Sequence, residues 1–129
     1  FKKILLDAPC TGNFFTDKDW FSKRTMEDIK NRSKLQKELL RTAVEILEKD
    51  GTLVYSTCSL EPEENEMVIS WGLENLNIKL DKIDFPLGRQ GLTEIFGKSY
   101  QKELKRCLRI LPEKEKLQPF FIAKIRKKN

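Results

Sequence analysis

Two cysteines stand at the ends of two strand-like segments, and their side chains are the best candidates for chemistry in this chain. Cys10 follows the apolar run at residues 4–6, and Cys58 follows the run at residues 53–57. Open α/β sheets bind ligands outside the carboxyl ends of their strands, so we expect both thiols at one edge of a sheet. A thiolate there adds to an electron-poor ring while a second group handles the proton. Asp7 is the third candidate, because its carboxylate accepts hydrogen bonds from a ligand amine or amide.

The alternative interpretation is that these cysteines are structural. Free cysteine is among the most buried residue types, and a buried thiol is inert in most proteins. We favour this interpretation for Cys107, which lies in an apolar run, and it stays open for Cys10 and Cys58 on the residues alone. The three cysteines contain no CxxC pair, which disfavours a thiol redox protein. Free thiols indicate a reducing compartment, so we expect a cytoplasmic protein.

A βαβ unit is the arrangement that brings the two cysteines together. Residues 3–7 and 52–58 are short apolar or β-branched runs, typical of buried parallel strands. Between them, Thr25 and Asp28 form the capping signal of a long helix that ends at the Asp-Gly turn of residues 50–51. The apolar positions at helical spacing predict the face that packs on the sheet: Ile29, Leu35, Leu39, Leu40, Ala43, Val44 and Leu47.

The segments outside this unit are shorter. Residues 11–23 combine glycine, aspartate and four aromatic residues, which predicts a long functional loop. Four glutamates within residues 61–66 surround Pro62 and predict the first turn of a second helix, where acidic charge suits the helix dipole. The apolar side of that helix is predicted from Met67, Val68, Trp71 and either Leu73 or Leu76. Residues 86–104 are expected to be irregular, with a short helix near Tyr100. Further strands are expected at residues 78–83, 107–111 and 120–125.

Composition excludes several classes of function. With 129 residues, the chain is long enough for one domain with its own hydrophobic core. No apolar run reaches the roughly 18 residues that a membrane span needs, so we expect no membrane partner. The chain has no histidine, which excludes His-based acid–base catalysis, Ser-His-Asp triads and the usual zinc sites. We therefore expect no metal.

Positive charge is concentrated near the end of the chain. Residues 102–129 carry ten Lys or Arg and three Asp or Glu, in a chain whose net charge is +5. A basic segment on a near-neutral body favours a polyanion such as RNA as partner. The alternative is a solvated face followed by a Lys-rich end, and the residues alone do not separate the two.

Two segments resemble signature motifs of one enzyme family. The motifs are DAPCTG, beginning at Asp7, and STCSLEPEENE, beginning at Ser56. They closely resemble two motifs of the RNA cytosine-5 methyltransferases of the Nop2/Sun (RsmB-like) family, in the right order and with a helix between them. Residues 24–29, 35–40 and 120–125 also resemble that family.

The resemblance implies a fold, a cofactor and a substrate. The implied fold is α/β, the Rossmann-like class I methyltransferase fold, of which residues 1–129 form the C-terminal portion of the domain. That portion contains part of a mainly parallel sheet with a final antiparallel strand. The implied cofactor is S-adenosyl-L-methionine, and the implied substrate is tRNA or rRNA.

The resemblance also implies a role for each candidate residue. Cys58 is the nucleophile that adds to C6 of a cytosine, which lets C5 take up the methyl group. Cys10 assists in removing the C5 proton or in releasing the enzyme from the adduct. Asp7 contacts the methionine part of the cofactor or the target base. Related DNA cytosine-5 methyltransferases use the Pro-Cys cysteine as nucleophile, so this division of roles follows from the resemblance alone.

A glycine-rich loop of the kind that holds the cofactor in such enzymes is missing from the sequence. We therefore expect the chain to be the C-terminal portion of a catalytic domain, which by itself binds the cofactor weakly or not at all. The alternative function is a non-catalytic RNA-binding module, supported by the basic segment and the loop aromatics. The presence of both motif cysteines favours the enzyme. The particular RNA, the particular cytosine and the oligomeric state stay open.

Overall fold

The computed structural model describes residues 1–13, 19–20, 25–111 and 118–129. Most of the expected loop at residues 11–23 lies outside these ranges, as do Lys114 and Lys116 of the basic segment. None of the described helices is both long enough and apolar enough to cross a membrane. The helices and strands are β1 (Lys3–Asp7), α1 (Met26–Ile46), β2 (Thr52–Thr57), α2 (Glu66–Asn75), β3 (Ile78–Leu80), β4 (Arg89–Gln90), β5 (Glu94–Ile95), β6 (Lys98–Ser99), β7 (Leu108–Ile110) and β8 (Phe120–Lys127), with 3₁₀ turns at Pro62–Glu64 and Lys102–Arg106.

One mixed sheet forms the centre of the described structure. Its strand order is β1-β2-β8-β7-β4, with β3 also paired to β8. β1 and β2 are parallel, while β8 is antiparallel to β2, β3 and β7. Strands β1, β2, β3 and β7 therefore run in one direction, while β8 and the two-residue strand β4 run in the other. The expected Rossmann-like α/β fold with a final antiparallel strand is confirmed.

β1 has the predicted bounds but differs from the prediction in burial. The sequence predicts a buried strand, yet β1 is an edge strand that pairs only with β2 among the described residues, and Leu5 is 72% exposed. Ile4 and Leu6, on the other face, pack against the core. The neighbouring strand β2 is buried at alternate positions, with Leu53 and Tyr55 fully enclosed.

Helix α1 is the crossover helix of the βαβ unit and packs on the sheet. Its predicted cap is present, because Thr25 Oγ1 accepts a 3.1 Å hydrogen bond from the backbone N–H of Asp28. The helix ends at Ile46, earlier than predicted, and the expected turn follows with Asp50 at a φ of 61°. Its buried positions are Ile29, Gln36, Leu40, Ala43 and Val44, followed by Leu47 just past the helix end.

One position in the predicted face of α1 is wrong. Leu35 is 37% exposed, whereas the polar Gln36 is completely buried. Gln36 lies seven residues after Ile29 and four before Leu40, so at 3.6 residues per turn it shares their face. Leu35 is rotated away from that face by about 100°.

The second predicted helix is divided into two pieces. Pro62–Glu64 forms a 3₁₀ turn, and α2 begins at Glu66 after a break at Asn65, whose φ and ψ are −116° and −100°. Val68 and Ile69 of α2 are fully buried. The predicted strand at residues 78–83 is limited to β3, and residues 86–104 contain three two-residue strands. The short helix expected near Tyr100 is the 3₁₀ turn at Lys102–Arg106.

Candidate active site

The two motif cysteines meet at the carboxyl ends of β1 and β2. These strands are parallel neighbours in which Asp7 lies opposite Ser56, so the segments that follow them leave the sheet side by side. Cys10 Sγ lies 2.9 Å from Cys58 Sγ, and both residues are half-buried and free of disulfide bonds. The structure therefore brings together Cys10 and Cys58, the two cysteines predicted from the sequence, at the sheet edge where α/β proteins bind ligands.

The two thiols share a proton unequally. The pKa of Cys10 is lowered to about 7, mainly by the hydrogen bond from Cys58 and further by the backbone N–H groups of Gly12 and Cys58, which together outweigh burial and the charge of Glu64. The same hydrogen bond raises the pKa of Cys58, as do burial and the charge of Cys10. At neutral pH the resting pair thus carries one proton on Cys58 and much of one negative charge on Cys10. A thiolate is the nucleophilic form of cysteine, so this pair contains a group that can react at neutral pH.

Asp7 lies beside the thiol pair at the end of β1. Its Oδ1 accepts a 3.1 Å hydrogen bond from Ser56 Oγ, and its side chain is exposed. The negative charge of Asp7 is one of the causes that raise the pKa of Cys58. The predicted third candidate therefore lies within electrostatic reach of the thiols and is accessible to a ligand.

A buried carboxylate holds the two cysteine-bearing loops together. Glu64 is completely buried, and its oxygens accept hydrogen bonds from Thr11 N at 2.8 Å, Thr11 Oγ1 at 2.6 Å and Ser59 Oγ at 2.6 Å. Gln36 Nε2 donates to the same carboxylate at 3.2 Å. Thr11 directly follows Cys10 and Ser59 directly follows Cys58. One side chain thus contacts both loops.

Two amides add further hydrogen bonds around Cys58, and that of Asn13 comes from the Cys10 loop. Asn13 Nδ2 donates a 2.8 Å hydrogen bond to the carbonyl of Cys58. Asn65 Nδ2 donates to the carbonyl of Ser59 at 2.8 Å, while its Oδ1 accepts from Thr57 Oγ1 at 2.5 Å. The backbone on both sides of Cys58 is therefore fixed by polar contacts.

The third cysteine behaves as the sequence analysis favoured. Cys107 is 2% exposed and belongs to the hydrophobic core. Burial raises the pKa of its thiol, so the neutral form is retained. Cys107 has no contact with the pair and provides an internal reference for an unreactive thiol.

A family model described as 16S rRNA methyltransferase RsmB/F matches residues 1–126. The chain belongs to this methyltransferase family. It is 38% identical over 130 residues to the tRNA (cytosine(49)-C(5))-methyltransferase of Pyrococcus abyssi, covering 98% of the chain and 42% of that protein. Among solved structures, a methyltransferase homolog protein from Pyrococcus horikoshii is similar with a TM-score of 0.87 and 48% identity, covering 98% of the chain and 39% of that structure.

A second solved structure extends the comparison. NSun6 from Pyrococcus horikoshii, determined with SFG, is similar with a TM-score of 0.74 and 32% identity, covering 97% of the chain and 29% of that structure. The chain thus spans less than half the length of each of these relatives. The family resemblance that the two motifs indicated is confirmed over nearly the whole chain.

Much of the basic segment of this RsmB/F family member has internal contacts. Arg109 donates to the buried Glu66 carboxylate at 2.5 and 2.6 Å and to the carbonyl of Leu60 at 3.2 Å. Arg106 donates to a carbonyl of β3 at 2.7 Å. Arg109 is buried and its charge is balanced by Glu66, so it is not available to a polyanion, whereas Arg106 is exposed.

Two further basic side chains of this segment are also engaged. Arg126 pairs with Asp81 at 2.8 Å. Lys127 Nζ donates to the carbonyls of Val44 and Leu47 at 2.7 and 2.8 Å, at the C-terminal end of α1. A cation at this helix end is favoured by the helix dipole. Both residues therefore have a structural role that the sequence analysis did not predict.

Sequence reasoning missed the residues that hold the loops of this family member. Glu64 is one of four glutamates within residues 61–66, and nothing in their spacing marks which of them are buried. Gln36 had a usable signal, because it is a polar residue in the apolar stripe of α1. Among the loop aromatics, Trp20 lies in the described part and is buried, and its Nε1 donates to the carbonyl of Thr11 at 3.1 Å. It supports the loop that carries Cys10.

Proposed function

We propose that residues 1–129 are the C-terminal portion of an S-adenosyl-L-methionine-dependent methyltransferase domain that methylates C5 of cytosine in tRNA or rRNA. The observation that carries the proposal is the 2.9 Å contact between the Cys10 and Cys58 sulfurs at the ligand-binding edge of the sheet. Family membership and the cytosine-C5 methyltransferase in Pyrococcus abyssi support the same chemistry. Free thiols at this spacing need a reducing compartment, which favours the cytoplasm.

Covalent addition begins at Cys58. Its Sγ forms a bond to C6 of the cytosine while its proton passes to the Cys10 thiolate across the 2.9 Å contact. The electron pair of the C5–C6 double bond moves toward C5, which becomes nucleophilic. The cofactor, when bound, supplies an electrophilic methyl group for that electron pair. Extrusion of the target base from any stack is needed for the thiols to reach it.

Elimination restores the pair. Cys10 first loses its proton to solvent and, as a thiolate, accepts the proton from C5. The electrons of the broken C5–H bond re-form the C5–C6 double bond, and the Cys58–C6 bond breaks with its electron pair returning to Cys58. A proton transfer from Cys10 to Cys58 then regenerates the resting state. One proton is released for each methyl group transferred, and the pair ends as it began.

Asp7 is the residue that we assign to the cofactor or the target base. An exposed carboxylate fits a cationic methyl donor or an exocyclic amine, and the charge of Asp7 already acts on Cys58. When a cationic or N–H group of a ligand contacts Asp7, part of this charge is balanced, which makes the Cys58 thiol more acidic. The structure of NSun6 with SFG supports a cofactor site in the family. Because residues 1–129 contain no glycine-rich loop, we expect this chain to provide only part of the cofactor site.

The test is a covalent trapping experiment with the full-length protein, cofactor and RNA. Cys10→Ala is expected to accumulate an RNA–protein adduct on a denaturing gel, because the C5 proton is no longer removed efficiently. Cys58→Ala is expected to give no adduct and no methylated cytosine. Cys107→Ala is the matched control and is expected to behave like the wild-type protein. Adduct in the Cys58 variant but not in the Cys10 variant would exchange the two roles and contradict the mechanism.

The alternative function, a non-catalytic RNA-binding module, receives less support. At least four basic side chains of residues 102–129 have hydrogen bonds to other parts of the chain, and that of Arg109 is buried. A binder does not need two thiols in contact. Under this alternative, replacing both cysteines by alanine leaves RNA affinity and cellular role intact, whereas the proposed enzyme loses all product.

A further inference from the structure

Glu64 is a completely buried carboxylate that the proposed chemistry does not use. The structure gives it no contact with either sulfur, and its contacts are to the residues beside them. A buried carboxylate is costly unless hydrogen bonds compensate it. Four donors do so here, and they come from the Cys10 loop, the Cys58 loop and α1.

The contacts of Glu64 restrain both flanks of Cys10. On one side, Thr11 donates to Glu64 through both its backbone N–H and its hydroxyl. On the other side, Gln36 Nε2 donates to the carbonyl of Pro9 at 2.7 Å and also to Glu64 at 3.2 Å. The backbone positions before and after Cys10 are thus fixed through one network.

The same carboxylate restrains Cys58. Ser59 Oγ donates to Glu64 at 2.6 Å and accepts from the backbone N–H of Glu61 at 3.0 Å, so the turn after Cys58 is closed on Glu64. Tyr55 OH donates to the Glu64 carbonyl at 2.8 Å, which anchors Glu64 itself to β2. Since Thr11 and Ser59 both donate to the Glu64 carboxylate, that carboxylate fixes the distance between the two loops.

We propose that Glu64 is a positioning residue whose carboxylate fixes the two cysteine loops so that the Cys10 and Cys58 sulfurs stay in contact. Its consequence for methyl transfer rests on the proposed function, but its consequence for the thiols does not. Glu64 contacts neither sulfur; it acts through its hydrogen bonds from Thr11, Ser59 and Gln36, and through its charge.

The charge of Glu64 and its hydrogen bonds act on Cys10 in opposite directions. The negative charge raises the pKa of Cys10, while the Cys58 hydrogen bond, which Glu64 maintains, lowers it more strongly. The other ionisable groups that face the pair are Asp7, whose charge acts on Cys58, and Tyr55, whose pKa is raised by burial and which stays neutral. The two effects of Glu64 can therefore be separated by substitution.

Two substitutions make this separation. Glu64→Gln removes the charge but keeps the shape, since its Oε1 still accepts from Thr11 N and its Nε2 donates to hydroxyls that also accept. Glu64→Ala removes all four contacts. The measurement is the pH dependence of iodoacetamide alkylation of Cys10 in the full-length protein, followed by peptide mass spectrometry that separates Cys10 from the other two cysteines.

The two variants are expected to shift the alkylation midpoint in opposite directions. In Glu64→Ala the midpoint rises from about 7 toward the ordinary cysteine value of about 8.5, because the sulfurs separate. In Glu64→Gln it falls below the wild-type midpoint, because only the unfavourable charge is lost. A purely structural role in folding gives no such opposite shifts.

Controls keep the test decisive. Glu103→Gln removes a carboxylate that accepts from Leu80 N at 2.8 Å and whose charge acts on Cys107, so it is expected to leave the Cys10 midpoint unchanged. If Glu64→Ala does not fold, Ser59→Ala removes one of the four hydrogen bonds to Glu64, that from Ser59 Oγ. This variant is expected to raise the alkylation midpoint of Cys10 by a smaller amount. Shifts of the same sign in both Glu64 variants, or an unchanged midpoint in the folded alanine variant, would overturn the proposal. Because alkylation needs neither RNA nor cofactor, this result is independent of whether the protein methylates RNA.

Discussion

Removing Arg109 is expected to destabilise the fold more than any loss of a surface charge. The Glu66 side chain is 0% exposed and that of Arg109 is 11% exposed, so the pair is shielded from water. Two hydrogen bonds of 2.5 and 2.6 Å join them, and Arg109 also holds the carbonyl of Leu60 in the segment after Cys58. In Arg109→Met the Glu66 carboxylate stays buried without its cation and keeps the 3.0 Å hydrogen bond from the backbone N–H of Leu92.

The expected loss is about 3–5 kcal/mol, the usual cost of leaving one partner of a buried ion pair uncompensated. This is a large fraction of the roughly 5–15 kcal/mol by which domains are stable. The assay is urea unfolding of the full-length protein, with Glu66→Gln and the double variant completing a double-mutant cycle. The double variant is expected to be more stable than Arg109→Met, because the uncompensated charge is then gone.

The matched control is Arg126→Met, which breaks a partly exposed pair with Asp81. Its loss is expected to be much smaller, because water compensates the remaining carboxylate. The reasoning is refuted if Arg109→Met unfolds at the wild-type urea concentration, or if the double variant is no more stable than the single one.

Two further predictions concern the thiol pair. Cys58→Ala is expected to raise the alkylation midpoint of Cys10 from about 7 toward about 8.5, because the main cause of its lowered pKa is removed. Cys107→Ala is the control. An unchanged midpoint in Cys58→Ala would contradict the proton shared between the two sulfurs. Mild hydrogen peroxide is expected to oxidise the Cys10 thiolate to a sulfenic acid, which condenses with the neighbouring Cys58 thiol to a disulfide. Peptide mapping without reductant checks this, and a cross-link to Cys107 instead would argue against the observed pairing.

The part of the site that could be predicted from sequence depends on strand ends and chain direction. Two apolar runs joined by one long helix predict parallel neighbours, and parallel neighbours deliver the residues after them to the same edge. Cys10 and Cys58 come together for this reason. The cap at Thr25 is equally local, because it needs only a hydroxyl three residues before an amide.

The supporting contacts could not be predicted in the same way. Glu64 and Glu66 lie on either side of the break at Asn65 and bind different partners, and no local pattern gives the backbone direction at that break. Arg109 meets Glu66 across 43 residues of sequence, so its partner is fixed only by the completed sheet. Leu35 and Gln36 are adjacent in α1, and only one of them can face the core. Apolarity predicts Leu35, but the helix geometry places Gln36 there.

The resting location of the charge also bears on why two cysteines are used. The pair holds its thiolate mainly on Cys10, although Cys58 is the residue that we propose to attack C6. A proton shared between sulfurs 2.9 Å apart moves without separating charge over a distance, so Cys58 can gain nucleophilicity at the moment the base arrives. A single cysteine with a permanently low pKa would be a weaker nucleophile, because nucleophilicity falls with pKa. The second thiol therefore lets the attacking sulfur keep a high pKa and still lose its proton when needed.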